Sequence, residues 1–481
     1  MAPEIHLAGE LIEHIVSFLL DDRRSIQFCS LVSHHWCSAA QPAVFHSLKV
    51  EEKMPPPQWR SKRAKKAAKK KSKKRKGGRG VKEEDDEEEA PPDEPEKFDL
   101  IKRITPPFDV GRYVKSLEIK CQAVTPSEIA RVLELFPTLQ RLALSANLLA
   151  DNTPPSLSPP RPLAELRLTD FTFAMDDWSP VAKEDAERSK DQPAKCSLVQ
   201  FLNLFGEIGT FYTRDIYPIG GVVQGWGDGG AGYDACRCCR PLYPQDKEQR
   251  SAIRAEGMKI SEHFSVKRIV TSDTDYTNDQ RGQEVVLDLL VAAPRALSTV
   301  QELDIDEHLL ITRDLLTATG PQLSRLHLNV TSTIKHIEEE DRIDNDPSQT
   351  GISFCGQRLS FAHVGLHHNF AMNTLDDYWK NWLFTFESAI MSLPPTLPRL
   401  VIEFHCGKLM PDNFDWKKMD STFAERDLTE LELVFDLGAH LLKKDERQFY
   451  NGVRKWVPQL WTKLGERLKV RITEYRGKRY E

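Results

Sequence analysis

Two neighbouring stretches of this 481-residue chain have residue types and spacing that could do chemistry. Cys236-Arg237-Cys238-Cys239 contains a C-x2-C pair of the kind that binds zinc as thiolates, with His263 a candidate fourth ligand. A structural zinc site usually draws on a second pair within about 20 residues. None follows, so the cysteines read as a thiol-rich loop and no metal is expected. Just upstream, Gly225-Trp226-Gly227-Asp228-Gly229-Gly230 satisfies G-x-G-x-x-G. That motif needs a helix after it to receive a pyrophosphate, and Ala231-Gly232-Tyr233-Asp234-Ala235 has no helical period, so no cofactor is expected. His34-His35 and His367-His368 are adjacent pairs, and neighbours along a strand point to opposite faces, which suits no shared metal. P-loop, H-E-x-x-H and G-x-S-x-G motifs are absent. Without a convergent set of titratable groups, no enzyme is expected.

Charge is distributed more sharply than the net value of −6 conveys. Arg60–Arg79 is dominated by Lys and Arg, whereas every residue from Glu83 to Glu89 is acidic. Prolines bracket this segment, and it shows no apolar period with which to build a core. Residues 51–98 are therefore expected to be a disordered charged linker. Within it, Lys69, Lys70, Lys71, Lys73, Lys74, Arg75 and Lys76 form a run that reads as a nuclear-import signal for an import receptor. A solvated linker, or a phosphate-neutralising patch, are the other readings. No aromatic is interleaved to stack on bases, which argues against nucleic acid. No apolar run reaches the roughly 18 residues of a membrane span. The N-terminus lacks a basic-then-apolar leader, and nine thinly spread cysteines do not make a disulfide scaffold. A nuclear or cytoplasmic protein, or one in both compartments, is expected.

Residues 1–50 carry two helical patterns. Leu7, Leu11, Ile15, Phe18 and Leu19 recur at three- and four-residue spacing; after Asp21-Asp22, a second pattern runs through Ile26, Cys29, Leu31, Val32, Trp36 and Ala39-Ala40. So short a unit buries little, and apolar surface in excess implies a partner. Leu7-Ala8-Gly9-Glu10-Leu11-(x)3-Ile15-(x)2-Phe18-Leu19, followed by Cys29-Ser30-Leu31-Val32-Ser33-(x)2-Trp36, resembles an F-box of the type common in mushroom-forming fungi, with Ala8 where the family usually has Pro. The resemblance implies a three-helix module that docks on the Skp-type adaptor of a cullin–RING ubiquitin ligase. It also implies that Leu7, Leu11, Ile15, Leu31 and Trp36 make the contact.

Beyond the charged segment the sequence repeats irregularly. Leu139-x-x-Leu142-x-Leu144-x-x-Asn147 matches the leucine-rich template in full, with the Asn expected to bond the backbone of the following turn. Copies without the Asn are Val114/Leu117/Ile119, Leu163/Leu166/Leu168, Val199/Leu202/Leu204, Val300/Leu303/Ile305, Leu323/Leu326/Leu328, Leu397/Leu400/Ile402 and Leu428/Leu431/Leu433. Phe361/Val364/Leu366 adds Asn369, and a degenerate strand is expected around Val266/Ile269. Helical-looking stretches lie between copies. The expected fold class is α/β: a small N-terminal three-helix module, then an irregular leucine-rich-repeat solenoid over 99–481 with a parallel sheet inside and helices outside. A Gly/Cys-rich insertion interrupts it near 206–262.

An F-box joined to leucine-rich repeats resembles a substrate receptor of an SCF-type ubiquitin ligase. Its partners would be the Skp-type adaptor, the cullin scaffold and an unknown protein substrate. Residues between the leucines point away from the core. They put Glu302, Asp304 and Asp306 as an acidic patch on one strand, Arg325 and His327 as a basic one on the next, and Glu430 and Glu432 near the end. These are the candidate substrate contacts. The alternative is a non-catalytic nuclear scaffold acting outside the ligase.

Overall fold

A computed structural model of the chain describes residues 9–19, 22–52, 100–104, 111–175, 195–220, 247–272, 281–306, 309–331, 358–367, 386–387, 389–405, 414–436 and 451–473. It begins with three helices: α1 (Gly9–Phe18), α2 (Arg23–Val32) and α3 (His34–Val44). Asp22 starts α2 by accepting hydrogen bonds from the Arg24 and Ser25 amides at 3.1 and 3.2 Å, and the Ser33 hydroxyl starts α3 by accepting from the Trp36 amide at 3.4 Å. Each cap satisfies donors that a first helical turn leaves unpaired. Ile12, Val16, Ile26 and Ala40 form the small interior.

Among the described residues twelve strands follow in one sheet, every pairing parallel and the spatial order identical to the chain order. They are β1 (Ser47–Glu51), β2 (Ser116–Val124), β3 (Arg141–Leu148), β4 (Arg161–Met175), β5 (Phe205–Gly220) and β6 (Ser265–Ser272). The second half comprises β7 (Glu302–Asp306), β8 (Arg325–Thr331), β9 (Phe361–His367), β10 (Arg399–His405), β11 (Glu430–Asp436) and β12 (Leu468–Thr473). Parallel neighbours need crossover connections. The described ones carry α4 (Leu100–Ile104), α5 (Pro126–Leu135), α6 (Ser197–Leu202), α7 (Lys247–Gly257), α8 (Arg281–Ala292), α9 (Leu309–Thr319), α10 (Trp416–Glu425) and α11 (Pro458–Leu464).

Register lines up one apolar column through all twelve strands: Leu48, Leu117, Leu142, Leu166, Phe211, Ile269, Leu303, Leu326, Ala362, Leu400, Leu431 and Leu468. From Leu117 to Leu468 these side chains are buried, and a second column two residues on joins Ile119, Leu144, Leu168, Ile305, Leu328, Val364, Ile402 and Leu433 in the core. At the start of several strands a hydroxyl donates to a carbonyl near the start of the preceding one: Thr138 to Val114 at 3.2 Å, Ser324 to Gln301 at 3.1 Å, Ser360 to Ser324 at 3.0 Å and Thr429 to Pro398 at 2.8 Å. These bonds pin register where each strand begins.

Several expectations are corrected. Val199/Leu202 belongs to α6; the strand comes afterwards, and Leu166 pairs with Phe211, so a short apolar run that could serve either element turned out helical. Phe361/Val364/Leu366 was two residues out of register. Leu326 and Leu400 both pair with Ala362, so Leu359, Ala362 and Val364 fill the template, and Phe361 faces outward. A two-residue slip preserves strand faces, so alternation alone cannot expose it. Asn147 does not bond a following turn: its Oδ1 accepts from the Thr172 hydroxyl on β4 at 2.5 Å. The Val266/Ile269 strand is present as β6, whereas β1 and β12 had no template match.

The boundary at residue 50 also shifts. Ser47–Glu51 pairs with Ser116–Lys120, so α3 runs into the sheet within a few residues. In the chain, the charged segment lies between two strands that pair in one sheet. Residues 53–99, with the import run, lie outside the described residues, as do Asn369 and 221–246 of the Gly/Cys-rich insertion. The ends of that expected insertion are regular, since β5 reaches Gly220 and α7 begins at Lys247.

Candidate interaction surfaces

Two surfaces carry the residues singled out by sequence. The first is the outside of the helical module. The inward face of α1 is Ile12 and Val16, one position off the stripe through Leu11, Ile15 and Phe18. That stripe is turned outward: Leu11 is 46% exposed and Phe18 74%, with Ile15 half-buried. On α2, Phe28, Leu31 and Val32 are 69%, 80% and 67% exposed. Trp36 on α3 is half-buried, and Leu7 lies outside the described residues. Burying one such side chain contributes about 1.5–3 kcal/mol, so this concentration of exposed apolar surface is costly to leave in water. Phe18, Phe28 and Val32 were absent from the expected contacts. Phe18 and Val32 sit in the sequence patterns and Phe28 lies outside them; only exposure marks all three as surface.

The second surface is the sheet face opposite the leucine columns. Candidate acidic and basic patches do not stand apart there, because strand neighbours pair with one another. Glu302 lies 3.5 Å from Arg325 and 3.4 Å from Arg268; Asp304 lies 3.2 Å from His327. Glu430 sits between Arg399 at 3.3 Å and Lys469 at 2.7 Å, and Glu432 meets Arg471 at 3.1 Å. The Lys469 ammonium holds the Glu430 carboxyl below its ordinary value. Opposite charges facing each other across strands stabilise a sheet pair, which is why acidic and basic strands alternate. Nothing is described of the Asp306 side chain, although Asp306 pairs in register with Asn329.

Beside these lie groups that sequence reasoning did not select. His363 Nε2 is 2.8 Å from Glu403 Oε2, and its ring stacks on His327. Asp304, His327 and His363 occupy one register row, so four successive strands carry a carboxylate–imidazole–imidazole–carboxylate series. Burial raises the Asp304 carboxyl despite Arg268 beside it. Burial, reinforced by His363, pushes His327 down to about 3, against the pull of Glu403. His327 is thus a neutral imidazole at physiological pH. Phe361 lies beneath two guanidiniums, Arg325 at 5.5 Å and Arg399 at 5.3 Å. Period-two alternation outward from each leucine marks these positions apart from Phe361, which the template puts inside; what it lacks is which strands are neighbours.

No group of three or more His, Cys, Asp or Glu able to hold a metal occurs among the described residues. His34 and His35 open helix α3 and do not sit on a strand; their rings are edge to face at 6.2 Å. Cys236, Cys238 and Cys239 fall outside the described residues, and His263 is exposed. Among the described residues no helix is long and apolar enough to cross a membrane. Compared with known proteins, the chain matches no family model and no curated protein.

Proposed function

We propose that this protein is the substrate-recognition subunit of an SCF-type ubiquitin ligase, with the three-helix module docking a Skp-type adaptor and the repeat sheet holding the protein to be ubiquitinated. The observation that carries the reading is Leu31, 80% exposed among Leu11, Phe18, Phe28 and Val32 on helices whose spacing resembles an F-box. Parallel strands in chain order around a leucine column support reading the remainder as a leucine-rich-repeat solenoid. Such a receptor performs no chemistry. It raises the effective concentration of substrate lysines at the charged ubiquitin-conjugating enzyme. The short join between α3 and β1 suits that role, since hydrogen bonds of the sheet fix where the docking helices sit relative to the substrate face.

The test is co-purification of adaptor and cullin with the full chain from a eukaryotic cell extract, compared with a Leu11→Asp/Leu31→Asp variant. The wild type should recover both; the variant should lose them while unfolding at the same denaturant concentration within about 0.5 kcal/mol, because both positions are on the surface. Recovery of no adaptor by the wild type, or equal recovery by the variant, would overturn the reading and leave a scaffold acting outside the ligase.

A further inference from the structure

One row of the sheet face has an arrangement that internal pairing does not account for. Register places Arg268, Glu302, Arg325, Phe361, Arg399 and Glu430 side by side on β6 to β11. Each glutamate is held from both sides. Glu302 gives one oxygen to Arg268 and the other to Arg325, and Glu430 gives one to Arg399 and the other to Lys469. Arg268 also lies 3.7 Å from Asp304, so these four cations share three carboxylates, with Phe361 between Arg325 and Arg399. Carboxylates of the next rows, Asp304, Glu403 and Glu432, are already against His327, His363 and Arg471.

The two guanidiniums nearest the centre are the ones that can be given up. Arg325 meets Glu302 at 3.5 Å and Arg399 meets Glu430 at 3.3 Å, with side chains 58% and 50% exposed. If a ligand took both, Glu302 would retain Arg268 and Glu430 would retain Lys469, so no carboxylate would be left bare. Exposed pairs of this kind contribute little to stability, so a ligand displaces them readily. Both guanidiniums lie over the Phe361 ring, at 5.5 and 5.3 Å from its centroid, and a guanidinium held near an aromatic ring is pre-organised for bidentate capture of carboxylates.

We propose that Arg325, Phe361 and Arg399 form a docking platform for an extended acidic segment of a partner protein. Geometry selects carboxylates on successive same-side residues over a single phosphate. The arginines rise from β8 and β10, two strand spacings or about 9–10 Å apart, with the ring between them. An extended chain presents same-side side chains about 7 Å apart, within reach of both guanidiniums. Calling that partner a substrate rests on the ligase reading. The platform itself does not, and its test contains no adaptor.

The experiment is fluorescence-anisotropy titration of the full chain with a labelled peptide alternating Glu and Ala, beside a Gln/Ala analogue and a phosphoserine peptide of the same length. The Glu peptide should bind at least about tenfold more tightly than the Gln peptide, and more weakly as salt rises. Arg325→Gln and Arg399→Gln should each weaken it about five- to tenfold and together remove it, with circular dichroism and unfolding midpoint unchanged. Phe361→Leu should weaken it with the same salt dependence. Equal binding of Glu and Gln peptides, an unaffected double variant, or binding of the phosphoserine peptide alone would each overturn the proposal. Any of these would leave adaptor co-purification to decide the ligase reading separately.

Discussion

The imidazoles of His327 and His363 lie face to face across β8 and β9, ring centroids 4.0 Å apart and planes 14° from parallel. Two protonated rings at that distance would repel strongly in a half-buried setting, so the stack holds at most one positive charge at ordinary pH.

The pH dependence follows from His327, whose folded value of about 3 lies below its unfolded value of 6.5. A depressed histidine contributes no penalty above pH 6.5. Below it the unfolded chain gains a proton that the folded chain refuses, so stability falls progressively as pH drops from 6.5 toward 3. Asp304, with a raised carboxyl, opposes this from the unfolded value of 3.8 upward. Proton NMR titration should show the His327 ring unshifted between pH 7 and 5. His363→Gln removes the second-largest cause and should raise the His327 midpoint; an unchanged midpoint would leave burial and Arg268 to hold it down.

Thr213 departs from the second interior column, where Leu168 precedes it in register. Its hydroxyl is buried with no hydrogen-bond partner among the described residues. An unpaired buried hydroxyl costs about 1–3 kcal/mol, whereas an isosteric methyl costs nothing there. Thr213→Val should therefore stabilise the protein by about 1 kcal/mol, read as a higher midpoint in urea at unchanged slope. A lower midpoint would mean that the hydroxyl is satisfied by water.

Asp288 on α8 is fully buried and receives Arg250 at 3.1 Å and Arg254 at 2.9 Å, both from α7. Asp314 on α9 takes the same guanidiniums, so three crossover helices share one ionic cluster. Removing the buried carboxylate leaves both arginines to Asp314 alone, and breaking a buried pair costs about 3–5 kcal/mol, with the remaining partner placing this loss at the lower end, about 3 kcal/mol. Asp288→Ala should lose that much in urea unfolding, while Arg325→Gln on the open face should lose under about 1 kcal/mol.

Much of the fold was legible in the chain. Leu117, Leu142, Leu166, Leu303, Leu326, Leu400 and Leu431 were identified from spacing alone, and each is a member of the buried column. Burying one strand face imposes a period that survives in sequence because a slip of one residue would turn every leucine outward. The run Leu198–Leu204 was ambiguous because a short apolar stretch suits a buried helix as well as a strand, and Phe361 was misplaced because a slip of two keeps the face.

The sequence by itself therefore determined most of the buried leucine column, where several chain connections carry helices, and that the N-terminal helices own more apolar residues than they can bury. Those depend on local spacing and on the free energy of removing apolar surface from water. Only the tertiary structure decided which strands are neighbours. With that came the pairing of Glu302 with Arg325, the stacking of His327 on His363 and the seating of Phe361 between two arginines. It also decided that β1 reaches across the charged segment to β2. Pairings between residues tens of positions apart leave no local period, because they are set by strand order and register, which form only when the core closes.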